Sequence, residues 1–582
     1  MKQSSIPSAR AVVSSLKERG VKQIIISPGS RNAPLTISFT EDSFFTCFSI
    51  VDERSAAFFA LGMAQQQRSP VAVLCTSGSA LLNYYPAVAE AFYSAIPLVV
   101  ISADRPPYKI DVGDGQTIRQ DHVFDRHIAY SANLKIDVEH AVERLSKYAP
   151  DLLETSQTEI DDYNTQELNK AFDRMFKKNI PIHINVPFEE PLYDTIAIRE
   201  KGKAYFPEKV LKSDFKKEEM NGFKSIWASA KKKMVLVGVN HPNQVDQRLL
   251  DILANDPSVI VFTETTSNLH HPNFFPSIDS IIFPIEKSER RDTLFNMLRP
   301  DVLLTFGGLV VSKKIKVFLR KYQPGHHWHI SENRAYDTYF SLSEHFKTTA
   351  NNFLNVLFSE GSNRQITSDY FDTWNKVKLG YQLKRQSYLK EVPFSDYLVF
   401  YQLLKTIPED RQLHLANSST VRYAQLFDLH PSLKVFCNRG TSGIDGSTST
   451  AVGASFYEHA QTVLITGDLS FFYDSNALWN NYIKKDFRII LINNSGGGIF
   501  RILPGNDESE SFETYFETVQ NQNAFHLSQQ YGFEYRSADD VESLKKSLTT
   551  FYHSSEKPKI LEVFTPRRIN SKILLGYFDF IS

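Results

Sequence analysis

Short apolar runs rich in valine and isoleucine return along the whole chain, and longer segments of helical character lie between them. The early runs are QIIISPG, VAVLCTSG, IPLVVISAD and IPIHINVP, separated by segments such as ERSAAFFALGMAQQQ and LLNYYPAVAEAFYSA. A run that is apolar at nearly every position suits a strand covered on both faces, and the intervening helices supply that cover. The alternation therefore predicts parallel sheets sandwiched by helices. A second series holds KKKMVLVGV, SVIVFTET and DVLLTFGG; a third holds RQLHLANS, LKVFCNRG, TVLITGD, FRIILINN and PKILEVFTP. At 582 residues the chain exceeds what one core organises, and three doubly wound α/β domains are expected. Their expected spans are 1–195, 196–358 and 396–582, with a polar, helix-prone connector over 359–395 and a lysine-rich link around Lys201–Glu219. The first and third series share the same order of strand, turn and helix.

Charge narrows the function classes. With 65 basic and 66 acidic residues the net charge is −1, so no global field favours nucleic acid or an anionic membrane. Anion binding has to be local. Three widely spaced cysteines, Cys47, Cys75 and Cys437, argue against a disulfide framework or a cysteine-type zinc site and fit a reducing cytoplasm. The N-terminal stretch MKQSSIPSARAVVSSLKERG has no apolar core of a signal peptide, and neither export nor membrane insertion is expected.

The stretch GDLSFFYDSNALWNNYIKKDFRIILINNSGGGIF, Gly467–Phe500, carries the densest chemistry. Ligands of doubly wound sheets sit at the carboxyl ends of strands, where TVLITGD places Asp468 and FRIILINN places Asn494. A hard cation such as Mg²⁺ takes carboxylate, amide and carbonyl oxygens and completes its shell with phosphate; Asp468, Asn494 and the Gly496 carbonyl offer that set. Read without context, the same residues are a pair of strand-end turns. An Asp followed by Asn one helix and one strand later resembles the diphosphate–magnesium motif of thiamine-diphosphate enzymes, except that Leu469 stands where glycine is usual. Two further elements fit that class. In VDERSAAFFALGMAQ, Glu53 opens a helix, where the dipole alone favours an acid; in thiamine-diphosphate enzymes such a glutamate bonds N1′ of the aminopyrimidine. In GTSGIDG, Ile444 is either core or the apolar wedge that holds the cofactor bent.

The motifs SPGSRNAPL at 27–35, DERSA at 52–56, SADRPP at 102–107, QTIRQ at 116–120 and NRGTSGIDG at 438–446, with GDLS at 467–470, closely resemble the 2-succinyl-5-enolpyruvyl-6-hydroxy-3-cyclohexene-1-carboxylate (SEPHCHC) synthases, the MenD family of menaquinone biosynthesis. The GDLS form accounts for Leu469. The resemblance runs through both end domains, whereas in the central domain only SKK at 312–314 matches. It implies the three-domain fold of thiamine-diphosphate enzymes, with a pyrimidine-binding first domain, a central domain free of cofactor and a diphosphate-binding third domain. It also implies a homodimer or dimer of dimers and a soluble cytoplasmic transferase using Mg²⁺ or Mn²⁺. The implied reaction decarboxylates 2-oxoglutarate and adds the succinyl carbanion to isochorismate by 1,4-addition.

Both implied substrates are dicarboxylates, and guanidinium forks suit carboxylates. By resemblance, Ser418 and Arg422 serve the succinyl carboxylate and Arg439 lies near the reacting carbon. Ser30, Arg31, Arg105, Gln116, Lys313 and Lys314 then hold isochorismate or product. Glu53, Ser442, Gly443, Ile444, Gly467, Asp468, Leu469, Ser470, Asn494, Gly496 and Ile499 contact the cofactor, with Asp468, Asn494 and Gly496 on the metal. Ile499 and Phe500 cover the reacting centre and exclude water. Plainer roles compete: Arg422 as a solvated helix residue, Lys313 and Lys314 as a basic helical face, Ile499 and Phe500 as core. Gly115 and Lys314 depart from the family's commoner Asn and Arg. HHWH at 326–329 lacks the spacing of a zinc site. Alternatives at the level of function are another thiamine-diphosphate 2-oxoacid decarboxylase or carboligase, and a catalytically silent cofactor-binding protein.

Overall fold

The computed structural model describes residues 2–198, 220–359, 366–457, 459–502 and 509–582. The lysine-rich link expected around Lys201–Glu219 lies outside the described residues. Three parallel sheets dominate, as the alternation predicts. The first runs, by position along the chain, in the order 2-1-3-4-6-5 with six strands from Gln23–Ile26 to Ile182–Pro187. The last sheet, from Gln412–Leu415 to Lys559–Phe564, has six strands in the same 2-1-3-4-6-5 order. The central sheet has five strands in the order 2-1-3-4-5, from Lys233–Val237 to Glu344–Phe346. Continuous burial explains the continuous apolar runs: Val71–Cys75, Leu98–Asp104, Val302–Phe306 and Arg488–Asn493 are buried at every position. Among the strands the sequence did not announce are the edge strands Ser131–Asn133, Glu344–Phe346 and Glu534–Ala538, whose polar sequences carry no such run, and a small antiparallel pair of Lys2–Ser4 with Thr195–Ala197.

Packing divides the described residues into two compact units. One comprises residues within 1–211 together with 440–459 and 473–484; the other comprises residues within 212–439, 460–472 and 485–582. In the first unit the helix Glu53–Gln67 is started by Asp52, whose carboxylate accepts from Ser55 N at 3.0 Å. Ser55 to Ala64 is buried all round, so this helix packs on two sides. Its neighbour is the fully buried helix Ser447–Ser455, and the two backbones nearly touch. A Cβ on Gly62 would stand 2.0 Å from Thr450 O, and one on Gly453 2.0 Å from Phe59 O. Only glycine permits that approach.

In the second unit one hydrophobic core runs through both sheets, from Phe262, Phe275 and Ile281 to Tyr397, Leu403 and Val463. A side-chain amide extends the seam: Asn268 Nδ2 donates to Val435 O at 2.9 Å while its Oδ1 accepts from Val435 N at 2.8 Å. The connector region holds the helix Tyr370–Tyr388, whose Tyr370, Trp374 and Tyr381 enter the same core.

Candidate active site

Strand order places the candidate residues. In the 2-1-3 arrangement the crevice opens between strands 1 and 3. In the last sheet these are Gln412–Leu415 and Thr462–Gly467, which lead into Ser418 and Asp468. Asp468, 3% exposed, is held by three donors: Leu469 N to Oδ1 at 2.8 Å, and Gly496 N and Gln520 Nε2 to Oδ2 at 2.8 and 2.7 Å. Burial pushes its carboxyl up to about 6, and the hydrogen bonds from Gln520, Leu469 and Gly496 oppose that shift. Asn494 Nδ2 donates to Asp396 at 2.9 Å, and Thr565 Oγ1 donates to the other Asp396 oxygen at 2.5 Å. With its nitrogen committed, Asn494 turns its oxygen to any cation. Gly496 adopts φ 143°, and a Cβ there would meet Glu517 O at 2.7 Å. Beside Asp468, nothing lies within 4 Å of a Cβ built on Gly467. One carboxylate, one amide oxygen, one strained turn and open space fit a Mg²⁺-type site with room for phosphate. Among the described residues no group of three or more His, Cys, Asp or Glu is placed to hold a metal, and this donor set does not require one.

The same sheet end carries arginines. Arg439, 8% exposed, donates from Nη1 to Asn417 Oδ1 at 2.7 Å, and Asn417 Nδ2 donates to Asn438 O at 2.7 Å. Arg422, on the short helix Ser419–Ala424, has no hydrogen-bond partner among the described residues. It lines a cavity of about 10 Å³ with Asp279, Ser312 and Gln425. Burial lowers its guanidinium, Asp279 opposes that, and neighbouring Arg439 adds to it. Ile499 is half-buried and Phe500 exposed, both in the turn Gly498–Ile502 that Arg501 braces against Glu517 through two 2.5 Å hydrogen bonds. Lys314 is committed to Glu286 and lies 4.5 Å over the Phe283 ring, while Lys313 is exposed.

In the first unit, strands Gln23–Ile26 and Val71–Cys75 flank the corresponding crevice. Glu53 lies within electrostatic reach of Cys75 and Tyr84 there, and burial raises its carboxyl. Ser30 is exposed, but Arg31 is 3% exposed and donates to Phe188 O at 3.0 Å and Glu190 Oε1 at 3.1 Å. Burial lowers the Arg31 guanidinium and nearby Arg105 lowers it further. Arg105 Nη2 donates to Gly115 O at 3.1 Å, pinning the loop that presents exposed Gln116. Arg31 Nε and Arg105 Nε are buried with no partner among the described residues. Two like charges held together with unmet donors form a receptor for an anion. Ser442, Gly443 and Ile444, half-buried, follow a backbone fixed by Glu90, which accepts from Gly440 N at 2.7 Å, Thr441 N at 2.6 Å and Thr441 Oγ1 at 2.9 Å. Left-handed backbone marks the loops of both units: Gln116 at φ 55°, Ser418 at 68°, Ser442 at 63° and Ser495 at 61°. Strain of this kind gathers at ligand sites.

Residues 8–128 match the thiamine pyrophosphate enzyme N-terminal TPP binding domain, and 417–563 match the C-terminal TPP binding domain. A 2-succinyl-5-enolpyruvyl-6-hydroxy-3-cyclohexene-1-carboxylate synthase of Christiangramia forsetii is 54% identical over 582 residues, 100% of both chains. The chain belongs to the SEPHCHC synthase family. Proteins of the same name from Flavobacterium johnsoniae and Porphyromonas gingivalis are 51% and 35% identical, over 98% and 97% of this chain and 98% and 95% of their own.

For a SEPHCHC synthase family member, then, the structure gathers Asp468, Asn494 and Gly496 with Arg422, Arg439 and Ser418 at one sheet end. It gathers Glu53, Arg31 and Arg105 on the first sheet's unit. It leaves Lys313 in solvent and Lys314 in an ion pair. Sequence reasoning missed Gln520, Asp396 and Glu90, which stand 52, 98 and 350 residues from their partners. No local pattern announces such contacts. HHWH forms the strand His326–Ile330, where Thr305 Oγ1 lies 2.9 Å from His327 Nε2 and 2.8 Å from His329 Nδ1.

Proposed function

We propose that the protein is a transferase that decarboxylates 2-oxoglutarate and adds the succinyl unit to isochorismate by 1,4-addition, forming SEPHCHC and CO₂ in menaquinone biosynthesis. The observation that carries this reading is Arg422, with no hydrogen-bond partner among the described residues and beside Arg439, at the same sheet end as the Asp468–Asn494 turns. A cation-and-diphosphate seat next to a carboxylate receptor is what a dicarboxylic 2-oxo acid needs, and the synthase name borne by full-length relatives supports it.

Bound thiamine diphosphate supplies a nucleophilic thiazolium carbon and an electron sink for the carbanion left when CO₂ departs. The remaining work falls to side chains. Asp468, Asn494 and the Gly496 carbonyl would hold Mg²⁺ or Mn²⁺, and Gly467, Leu469 and Ser470 would line the diphosphate's seat. Ser442, Gly443 and Ile444 shape the cofactor's bend. Glu53, whose carboxyl burial raises, would hold a proton for the aminopyrimidine N1′. Ser418 and Arg422 bind the distal carboxylate, and Arg439 orients the reacting end. Ser30, Arg31, Arg105, Gln116, Lys313 and Lys314 receive isochorismate. For Lys314 this requires release from Glu286. Ile499 and Phe500 would exclude water from the reacting centre, where a stray proton would end the reaction unproductively.

The domain spans 1–195, 196–358 and 396–582 are proposed as pyrimidine-binding, central and diphosphate-binding, and the active unit as a homodimer or dimer of dimers. Cytoplasmic placement is supported by three free cysteines and by the lack, among the described residues, of a helix long and apolar enough to cross a membrane. The test is a product assay with thiamine diphosphate, Mg²⁺ and 2-oxoglutarate, with and without isochorismate. Mass spectrometry is expected to show SEPHCHC only in the complete mixture. Turnover of pyruvate with no reaction of 2-oxoglutarate would refute the assignment.

A further inference from the structure

The central sheet's contribution is concentrated at Ser312, the residue before the basic helix Lys313–Lys321. Its backbone N donates to Glu264 Oε1 at 2.8 Å, and Val311 N donates to Glu264 Oε2 at 2.7 Å and to Oε1 at 3.0 Å. Ser312 Oγ donates to Asp279 at 2.5 Å and accepts from Ile315 N at 3.2 Å, which starts the helix. A carboxylate on the first amides of a helix is favoured by hydrogen bonding and dipole alike. That accounts for where Glu264 and Asp279 sit. It does not account for a second set of neighbours. Glu264, 3% exposed, is in electrostatic contact with Arg439, and Asp279 with Arg422. Asp279, Ser312 and Arg422 line one small cavity.

Two arginines close together repel, and a guanidinium with no hydrogen-bond partner has rotamer freedom that substrate binding must remove. Burial raises both carboxyls, Glu264 to about 7, and Arg439 and Arg422 oppose those rises; each carboxyl as it ionises offsets the repulsion between the arginines, and Asp279 narrows the freedom of Arg422 before substrate arrives. We propose that Glu264 and Asp279 are positioning residues that hold Arg439 and Arg422 in one fixed array against the first turn of Lys313–Lys321, so that both arginines meet 2-oxoglutarate in a set arrangement. The inference rests on the substrate reading given above and assigns the central sheet a role in orienting the third sheet's arginines. Glu264 and Asp279 touch no substrate atom in this scheme and act only through Arg439 and Arg422.

The test is a pair of double-mutant cycles in the full-length holoenzyme, Glu264→Gln with Arg439→Lys and Asp279→Asn with Arg422→Lys, read as kcat and KM for 2-oxoglutarate. Each single change is expected to lower kcat/KM about tenfold, chiefly through KM, and each double to fall about fivefold or more short of the product of its singles. Glu264→Gln combined with Arg31→Lys is the control and should be additive. A purely structural role predicts a lower melting temperature and active fraction with KM unchanged and additive doubles, and that result would overturn the proposal. Should Glu264→Gln fail to fold, the Asp279–Arg422 cycle decides alone, since Ser312 Oγ can donate equally to the asparagine oxygen. Wild-type enzyme inert toward 2-oxoglutarate would overturn the substrate reading and this inference with it. Normal wild-type turnover with additive cycles would overturn the inference only.

Discussion

The first and last sheets share one strand order, 2-1-3-4-6-5, yet the residues at their strand ends differ in kind. At the last sheet the key carboxylate, Asp468, is wrapped by three donors, and its amide partner Asn494 is locked by Asp396. At the first, Glu53 is lifted by burial, with only its own backbone among the influences that lower it again. Burial lifts both carboxyls, and what differs is the holding: the one tied by three donors suits a fixed cation, and the loosely held one suits proton exchange. Topology sets where ligands are received, and loop chemistry sets what is done with them.

That contrast can be broken by exchanging binding against turnover. Asp468→Ala is expected to have the largest effect: thiamine diphosphate affinity, measured by quenching of intrinsic fluorescence in Mg²⁺, falls more than about a hundredfold, and activity disappears with it. Retained affinity would remove Asp468 from the cation. Glu53→Gln should give the converse pattern. Affinity stays within a few-fold while kcat falls by about 10²–10⁴, the range for losing a positioned acid–base group. Matching losses of affinity in both variants would erase the division of labour between the two sheets.

Much of this architecture was legible in the sequence because fully buried strands leave apolar runs, as VAVLC and the IILI of RIILIN do. The edge strand Glu534–Ala538, buried only at Ala538, leaves none and went unread. Among the proposed site residues, those in chain-local motifs can be named from the sequence: Asp468, Asn494, Glu53 and the arginines of SPGSR and SADRPP. The groups that orient them were not. Glu90 reads as one polar position of a helix, and nothing near it in sequence indicates that it holds Gly440 and Thr441. Lys313 and Lys314 show the opposite limit. A motif match identified them, whereas the packing commits Lys314 to Glu286 and leaves Lys313 in solvent.

Asp474 sharpens the comparison at its smallest scale, because it stands six residues beyond Asp468 yet belongs to the other unit. It is fully buried, accepts from Ser449 N and Ser449 Oγ at 2.7 Å each, and has Arg54 Nη2 at 3.7 Å. Burial pushes its carboxyl up to about 7, the hydrogen bonds from Ser449 and the charge of Arg54 notwithstanding. A folded-state value above the unfolded one means the folded protein holds the proton more tightly. The group's contribution to stability is therefore whole below about pH 4 and is lost as pH rises to about 7. Asp474→Asn should abolish that slope, since an amide can accept from Ser449 N and donate to the Ser449 hydroxyl. Relative to wild type, the variant is expected to gain about 2–3 kcal/mol between pH 5 and pH 8, seen as a rise in relative melting temperature with pH. Turnover should stay within about threefold of wild type, because a raised carboxyl that only starts a helix is no proton donor to substrate. A flat difference with pH would mean that Arg54 keeps Asp474 ionised throughout, and a collapse of kcat would move Asp474 into the class of Glu53.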